Sequence, residues 1–222
     1  MQEKTECRLS IEDADLSCQI MQQDDLDPAI RCMVDAFTHY EPMTKALKIT
    51  SDEFYQLAKI VCEKSVKDQL SLVAKEKKTG NVVAFSVAED LMSEPPEGIE
   101  NISDSFQPIF ALLEDLDRVY KRVTRPVKGE FLRLFMGGSC FIYKNRGIIT
   151  ALLEGHLQLA REKNFLGVVA EVTGPISRHI LVDKYSFKEK NQIEYKSYVY
   201  NGRKVFANIE DASACILIEK RF

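Results

Sequence analysis

The sequence contains no tryptophan and only three histidines, and no apolar run in it approaches the roughly 18 residues that a membrane span requires. The opening stretch, MQEKTECRLSIEDADL, has no apolar core of signal-peptide length, so the chain is expected in the cytoplasm, with no membrane partner. Metal-ligand spacing is missing too. The six cysteines, at 7, 18, 32, 62, 140 and 215, form no CxxC pair, and His39, His156 and His179 lie far apart, so no metal is expected. The cysteines read instead as small buried hydrophobes of a reducing compartment. Positive charge is not in excess. Against 30 Lys and Arg stand 34 Asp and Glu, a net charge of −4, which gives no reason to expect a nucleic-acid partner. The 10 glycines and 7 prolines form no flexible linker, and no repeat or low-complexity tract is found.

What is there is the composition of a globular protein, 45% hydrophobic and 29% charged. A chain of this length buries about 70% of its unfolded surface. One domain is expected over 16–222, after a polar segment over 1–15. The patterning predicts a strand over 16–21. A helix capped by Asp24 or Asp25 follows, with Leu26, Ile30, Met33, Val34 and Phe37 on one face. The tract 38–49 breaks it, and Ser51 or Asp52 caps a second helix. Strands over 70–76 and 82–89 flank a Lys77–Asn81 hairpin turn. A Pro-rich loop, 92–101, leads to a helix ending near Val123. Then come a strand over 130–141, a helix over 147–163 and a strand over 167–172 that is apolar on both faces, the pattern of a central parallel strand. These three elements make a right-handed βαβ crossover. A short helix over 175–184 and antiparallel strands over 192–200 and 214–219 close a mixed α/β sheet.

The segment Tyr143-Lys144-Asn145-Arg146-Gly147-Ile148-Ile149 joins a strand to a long helix. A glycine there lets backbone N–H groups face outward at a helix N-terminus, which binds phosphate through those groups and its dipole. Lys144 and Arg146 add positive charge. The segment is neither a Walker loop nor GxGxxG, and on its own it reads equally as an anion site or as a basic turn.

At this point the chain resembles the GCN5-related N-acetyltransferase (GNAT) family. That family carries [QR]-x-x-G-x-[GA] at this junction, where it holds the pyrophosphate of acetyl-CoA. Lys144, Gly147 and Ile149 fall on the three positions, and only Gly147 matches strictly. The order of elements agrees along the chain. Gly137-Gly138 lies in the fourth strand, where the family has a bulge and where free backbone groups pair with pantetheine; the resemblance places the backbone of Ser139 and Phe141 there, with Lys144 to Ile149 on the phosphates. Three stretches are similar to the insect-type arylalkylamine N-acetyltransferases: Tyr40-Glu41-Pro42-Met43, a helix inserted between the third and fourth strands, and a tail with Phe187, Ile193-Glu194-Tyr195-Lys196-Ser197-Tyr198 and Gly202–Phe206.

The expected fold is therefore a single-domain GNAT-like mixed sheet flanked by helices, with an extra helix between the third and fourth strands. The resemblance implies acetyl transfer from acetyl-CoA to a small-molecule primary amine, arylalkyl in kind. Glu41 would accept the proton of the ammonium. Thr173 and Ser177, four apart, stand where those enzymes carry two serines. Val182 and Ser186 depart from the family pattern, so the general acid is left open. Cys140 has no neighbouring base in sequence, which favours direct transfer over a covalent enzyme intermediate. Two rivals stay open: a different acceptor, such as an amino acid, polyamine or protein N-terminus, and an acyl-CoA-binding domain without turnover.

Overall fold

The computed structural model describes residues 15–144 and 146–222, so the segment 1–14 and Asn145 lie outside the described residues. β1 (Leu16–Ile20), β2 (Leu72–Glu76) and β3 (Val82–Asp90) form an antiparallel meander. Between β1 and β2 run α1 (Leu26–Tyr40), the short α2 (Pro42–Ala46) and α3 (Ser51–Asp68). The inserted helix α4 (Gln107–Thr124) leads to β4 (Phe131–Ser139), and α5 (Ile148–Glu162) crosses over to β5 (Gly167–Val172). After α6 (Pro175–Arg178), β6 (Lys188–Glu194) and β7 (Ala214–Arg221) complete a seven-stranded sheet of order β1-β2-β3-β4-β5-β7-β6. Among the described strands only β4 and β5 run parallel.

The helices form because apolar residues recur on one side of each. α1 buries Ala29, Ile30, Cys32, Met33 and Ala36 against β3 and β4. Asp25 does not cap α1 directly. It accepts the Gln22 N–H at 2.9 Å in a reciprocal box, and its buried carboxylate pairs with Lys75 at 2.5 Å. Thr50, one residue before the expected cap, starts α3 in a capping box with Glu53. One sheet face carries α1, α3 and α4 over Phe54, Phe85, Leu112 and Val169; the other carries α5 over Leu153, Leu157, Val168 and Ala170.

Three expectations shift. The bulge in β4 is not at the glycine pair: Leu134 faces Ala88 and Met136 faces Val87, so Phe135 is the extra residue. Gly138 serves close packing instead, because a Cβ there would stand 2.9 Å from the Ala36 Cβ and 3.2 Å from the Phe85 ring. The helix after β5 is α-helical only to Arg178 and continues as a wide π turn to Lys184. The strand expected over 192–200 lies over 188–194. Its polar outer run, Lys188-Glu189-Lys190-Asn191-Gln192, is that of a protected edge strand, and at Tyr195 the chain turns inward.

His156 of α5 is fully buried, with Nε2 3.1 Å from the Ser86 carbonyl. Burial pushes its pKa from 6.5 down to about 4. The unfolded chain then takes up a proton that the folded chain refuses, so stability is full above about 6.5, falls as pH drops towards about 4 and levels below that. The urea midpoint measured across that window should decline with acid, and His156→Gln should flatten the slope. A wild-type slope retained by the variant would assign the acid sensitivity to other groups.

Candidate active site

The site begins where the sheet opens. β4 and β5 share four residue pairs, from Phe131 opposite Gly167 to Leu134 opposite Ala170. Beyond them the strands part, and Phe135 to Ser139 of β4 present backbone groups with no β5 partner. On the β3 side the same stretch stays paired, out to Ser139 opposite Ala84. A half-paired strand lining a wedge can donate and accept hydrogen bonds to an extended ligand.

At the open end stands the N-terminus of α5. Gly147 is its N-cap with φ of 72°, a left-handed conformation that glycine enters without penalty, and no side chain caps the helix. The first intrahelical bond comes from the Ala151 N–H, leaving the N–H groups of Ile148, Ile149 and Thr150 directed out of the helix end. The Ile149 side chain packs on the cluster of Leu16, Leu72 and Leu152. β4 ends at Ser139, and Phe141 begins a 3-10 turn, its ring exposed. The ammonium of Lys144 lies 3.1 Å from the centre of the Tyr40 ring and 4.6 Å from that of Phe141, and the two rings stack at 6.1 Å. Arg146 lies over Tyr143. The residues named from the resemblance thus gather at one mouth, with Asn145 outside the described residues.

Glu41 sits across the wedge, between α1 and α2. Its Oε2 accepts the Thr44 N–H at 2.6 Å as the N-cap of α2. Its Oε1 is buried, with no hydrogen-bond partner among the described residues. Pro42 packs towards Gly174, where a Cβ would stand 3.6 Å from the proline ring. That contact brings Glu41 to the loop holding Thr173 and Ser177. Neither of these caps α6, whose N-cap is Gly174; Ser177 Oγ donates to the Gly174 carbonyl at 3.0 Å.

Sequence reasoning missed two supports. Tyr195 is completely buried, and its hydroxyl donates to the Thr173 carbonyl at 2.9 Å. Burial, with the thiol of Cys215 and the Glu41 carboxylate near it, pushes the phenol well above its usual range, so it stays protonated. The second support lies at the root of the wedge. Arg133 of β4 faces both oxygens of Glu171 of β5 at 3.2 and 3.0 Å, and Asp117 of α4 and Glu89 of β3 stand at 3.5 and 3.7 Å. The signal was a lone carboxylate, Glu171, in a strand otherwise apolar on both faces.

No family model matches the chain, and no curated protein matches it in sequence. Solved structures do match in shape. The C-terminal condensation domain of Ebony, in complex with beta-alanyl-dopamine, superposes with a TM-score of 0.84 at 20% identity, over 93% of this chain and 99% of that one. Arylalkylamine N-acetyltransferase 2 from Aedes aegypti gives 0.78 at 18%, over 93% and 99%. The Drosophila melanogaster polyamine N-acetyltransferase gives 0.73 at 16%, over 94% and 100%. With its splayed parallel pair, inserted helix and seven-strand order, the chain has the fold of the GNAT enzymes.

Proposed function

We propose that the chain transfers the acetyl group of acetyl-CoA to a small-molecule primary amine, by direct attack in a ternary complex. The observation that carries this reading is the buried Oε1 of Glu41, which has no hydrogen-bond partner among the described residues, on the segment whose Pro42 packs against Gly174 of the loop holding Thr173 and Ser177. The residues present fit acetyl-CoA. The free β4 edge up to Ser139 suits the pantetheine amides, the uncapped N–H groups of Ile148 and Ile149 behind Gly147 suit the pyrophosphate, and Lys144 and Arg146 add positive charge. Ile149, bulky where the motif has Gly or Ala, is accommodated because its side chain packs into the cluster behind the turn.

In this reading Glu41 Oε1 takes a proton from the substrate ammonium. The neutral amine nitrogen then attacks the thioester carbon and the C–N bond forms; the nitrogen sheds its second proton to water as the C–S bond breaks, and the CoA thiolate that leaves takes up a proton from solvent. Strand N–H groups meet the oxyanion charge. Thr173 and Ser177 orient the amine, and Tyr195 positions Thr173 by holding its carbonyl. The Tyr185 hydroxyl donates to Glu154 at 2.5 Å, and no general acid is assigned. The structural neighbours act on different amines: one forms N-acetylagmatine, and others are arylalkylamine N-acetyltransferases. A second reading keeps the site and enlarges the acyl group. The condensation domain of Ebony, with its TM-score of 0.84, was solved with beta-alanyl-dopamine, an amide whose acyl part is an amino acid. A donor panel of acetyl-CoA and β-alanyl-CoA against dopamine and agmatine, read by thiol release, separates the two.

Binding is the first test. At 100-fold excess over its Kd, acetyl-CoA should stabilise the fold by about 2.7 kcal/mol through linkage, seen as a raised melting temperature. Gly147→Asp should abolish most of that shift, because it puts a carboxylate, and a strained backbone, where phosphate must sit. No shift at saturation would overturn the acetyl-CoA assignment.

Chemistry is the second. General-base assistance is worth about 10²–10⁴-fold, so Glu41→Gln should lower kcat/KM by that order at neutral pH and spare acetyl-CoA binding. Gln still caps α2 through its amide oxygen, so the loop keeps its shape. The lost rate should return in part at high pH, where the free amine supplies itself. An unchanged rate and pH profile would remove Glu41 from the mechanism.

A further inference from the structure

Cys32 and Cys140 are 108 positions apart in the chain, yet their sulfurs lie 2.9 Å apart. Cys32 belongs to the buried stripe of α1, on the face packed against β3 and β4. Cys140 immediately follows β4, and its N–H donates to the Val83 carbonyl at 2.9 Å. The two differ in access: Cys32 is buried and Cys140 only partly so. We propose that Cys32 and Cys140 form a redox-active dithiol, which a hydroperoxide closes to an intramolecular disulfide clamping α1 onto the end of β4.

The geometry supplies what a disulfide needs. The sulfurs must close from 2.9 Å to about 2.05 Å. Gly138, with its missing side chain, lets α1 and β4 approach closely two residues before Cys140. The hydrogen bond within the pair lowers the Cys140 thiol below its ordinary range, while burial and the same bond raise Cys32. Asp35, the nearby carboxylate on α1, acts to raise both thiols and does not outweigh the bond at Cys140. Cys140, partly exposed where Cys32 is buried, is the thiol that peroxide reaches first, and Cys32 the one that resolves. The steps balance. The Cys140 thiolate attacks one peroxide oxygen, giving a sulfenic acid and hydroxide, which takes a proton to become water. The Cys32 sulfur then attacks the sulfenic sulfur; the S–S bond forms and a second water leaves. Two thiols lose two electrons in all, and the peroxide gains them. By contrast, burial, joined by the Glu63 carboxylate at Cys62 and by Glu171 and Glu41 at Cys215, pushes those thiols upward, away from reactivity.

The clamp lies at the mouth. Tyr40, at the end of α1, stacks on Phe141, the residue after Cys140, so a cross-link ties together the walls that carry Glu41 and the β4 edge. The effect on acetyl-CoA rests on the acyl-transfer reading, whereas the cross-link does not.

The test treats the whole chain with near-stoichiometric hydrogen peroxide, blocks free thiols under denaturing conditions and maps peptides by mass. Expected is a Cys32–Cys140 linked peptide, about 2 Da lighter than its two reduced parts and reversed by dithiothreitol, with Cys18, Cys62 and Cys215 still blockable. The oxidised chain should melt higher and show a smaller acetyl-CoA-induced shift. In Cys32→Ala, Cys140 should stop at a sulfenic acid that dimedone traps. Wild-type Cys140 found as sulfenic or sulfinic acid without a link to Cys32, or linked between two chains, would overturn the proposal. A link that leaves the melting temperature unchanged would overturn the clamp.

Discussion

Four residue pairs hold β4 to β5, and the fact that the pairing stops there shapes the rest of the molecule. A sheet that parted in mid-course would lose its ladder and expose unpaired backbone, each buried orphan group costing about 1–3 kcal/mol. The parting is stable because both strands are held on their other sides. β3 pairs with β4 to the end, and β7 pairs with β5 along its whole length. The bulge at Phe135 bends β4 as it leaves β5, and Gly138 lets α1 close over the bent strand. What is left is a wedge with one polar lip on each side.

The root of that wedge is charged, and the reason is geometric. Arg133 leaves β4 and Glu171 leaves β5 on the face covered by α4, and their ion pair spans the two strands near the point where backbone pairing ends. Asp117 brings α4 into the same cluster, which ties the inserted helix to the sheet. Lys121 pairs with Asp117, and Lys64 pairs with Glu89 and Asp68. The carboxylates outnumber the cations, and Glu171 is the most enclosed of those around Arg133. Burial pushes its pKa up to about 7 in spite of the guanidinium. A buried ion pair of this kind is weak support for stability by itself, because desolvation offsets its attraction. Its contribution is to specify where the strands separate.

Much of this was legible in the sequence where a local rule governs the outcome. Gly147 was, because a strand-to-helix turn with positive φ has a residue of its own. The apolar run 167–172 was, because only a central strand is apolar on both faces. The stripe of α1 followed from its period. The limits of the reading are as physical as its reach. β6 hides because an edge strand protects itself with Lys188, Glu189 and Lys190 in place of an alternating pattern. The cap of α3 was misjudged by one residue because three consecutive candidates, Thr50, Ser51 and Asp52, all have cap chemistry, and only the partner Glu53 selects Thr50. Tyr195 stood in a motif that marks the tail, but its bond to the Thr173 carbonyl depends on a turn that the pattern had drawn as a strand. The Cys32–Cys140 contact spans 108 positions and leaves no trace in local spacing.

In the proposed reaction, Glu41 is a reactive group that the fold keeps ready. A carboxylate free in a loop would be solvated and mobile, and ordering it during catalysis would cost side-chain entropy of up to about 2 kcal/mol. Here one oxygen is committed to the Thr44 N–H, which fixes the side chain as part of α2, and Pro42 fixes the backbone that follows. The other oxygen is thereby placed without being satisfied. Opposite it, Tyr195 holds the Thr173 carbonyl, so the facing loop is ordered by the same device, a bond to a part of the residue that the chemistry does not need. Each segment is thus tied down by a hydrogen bond of its own, and in the proposed reaction the oxygen left without a partner among the described residues is the one that meets the ammonium.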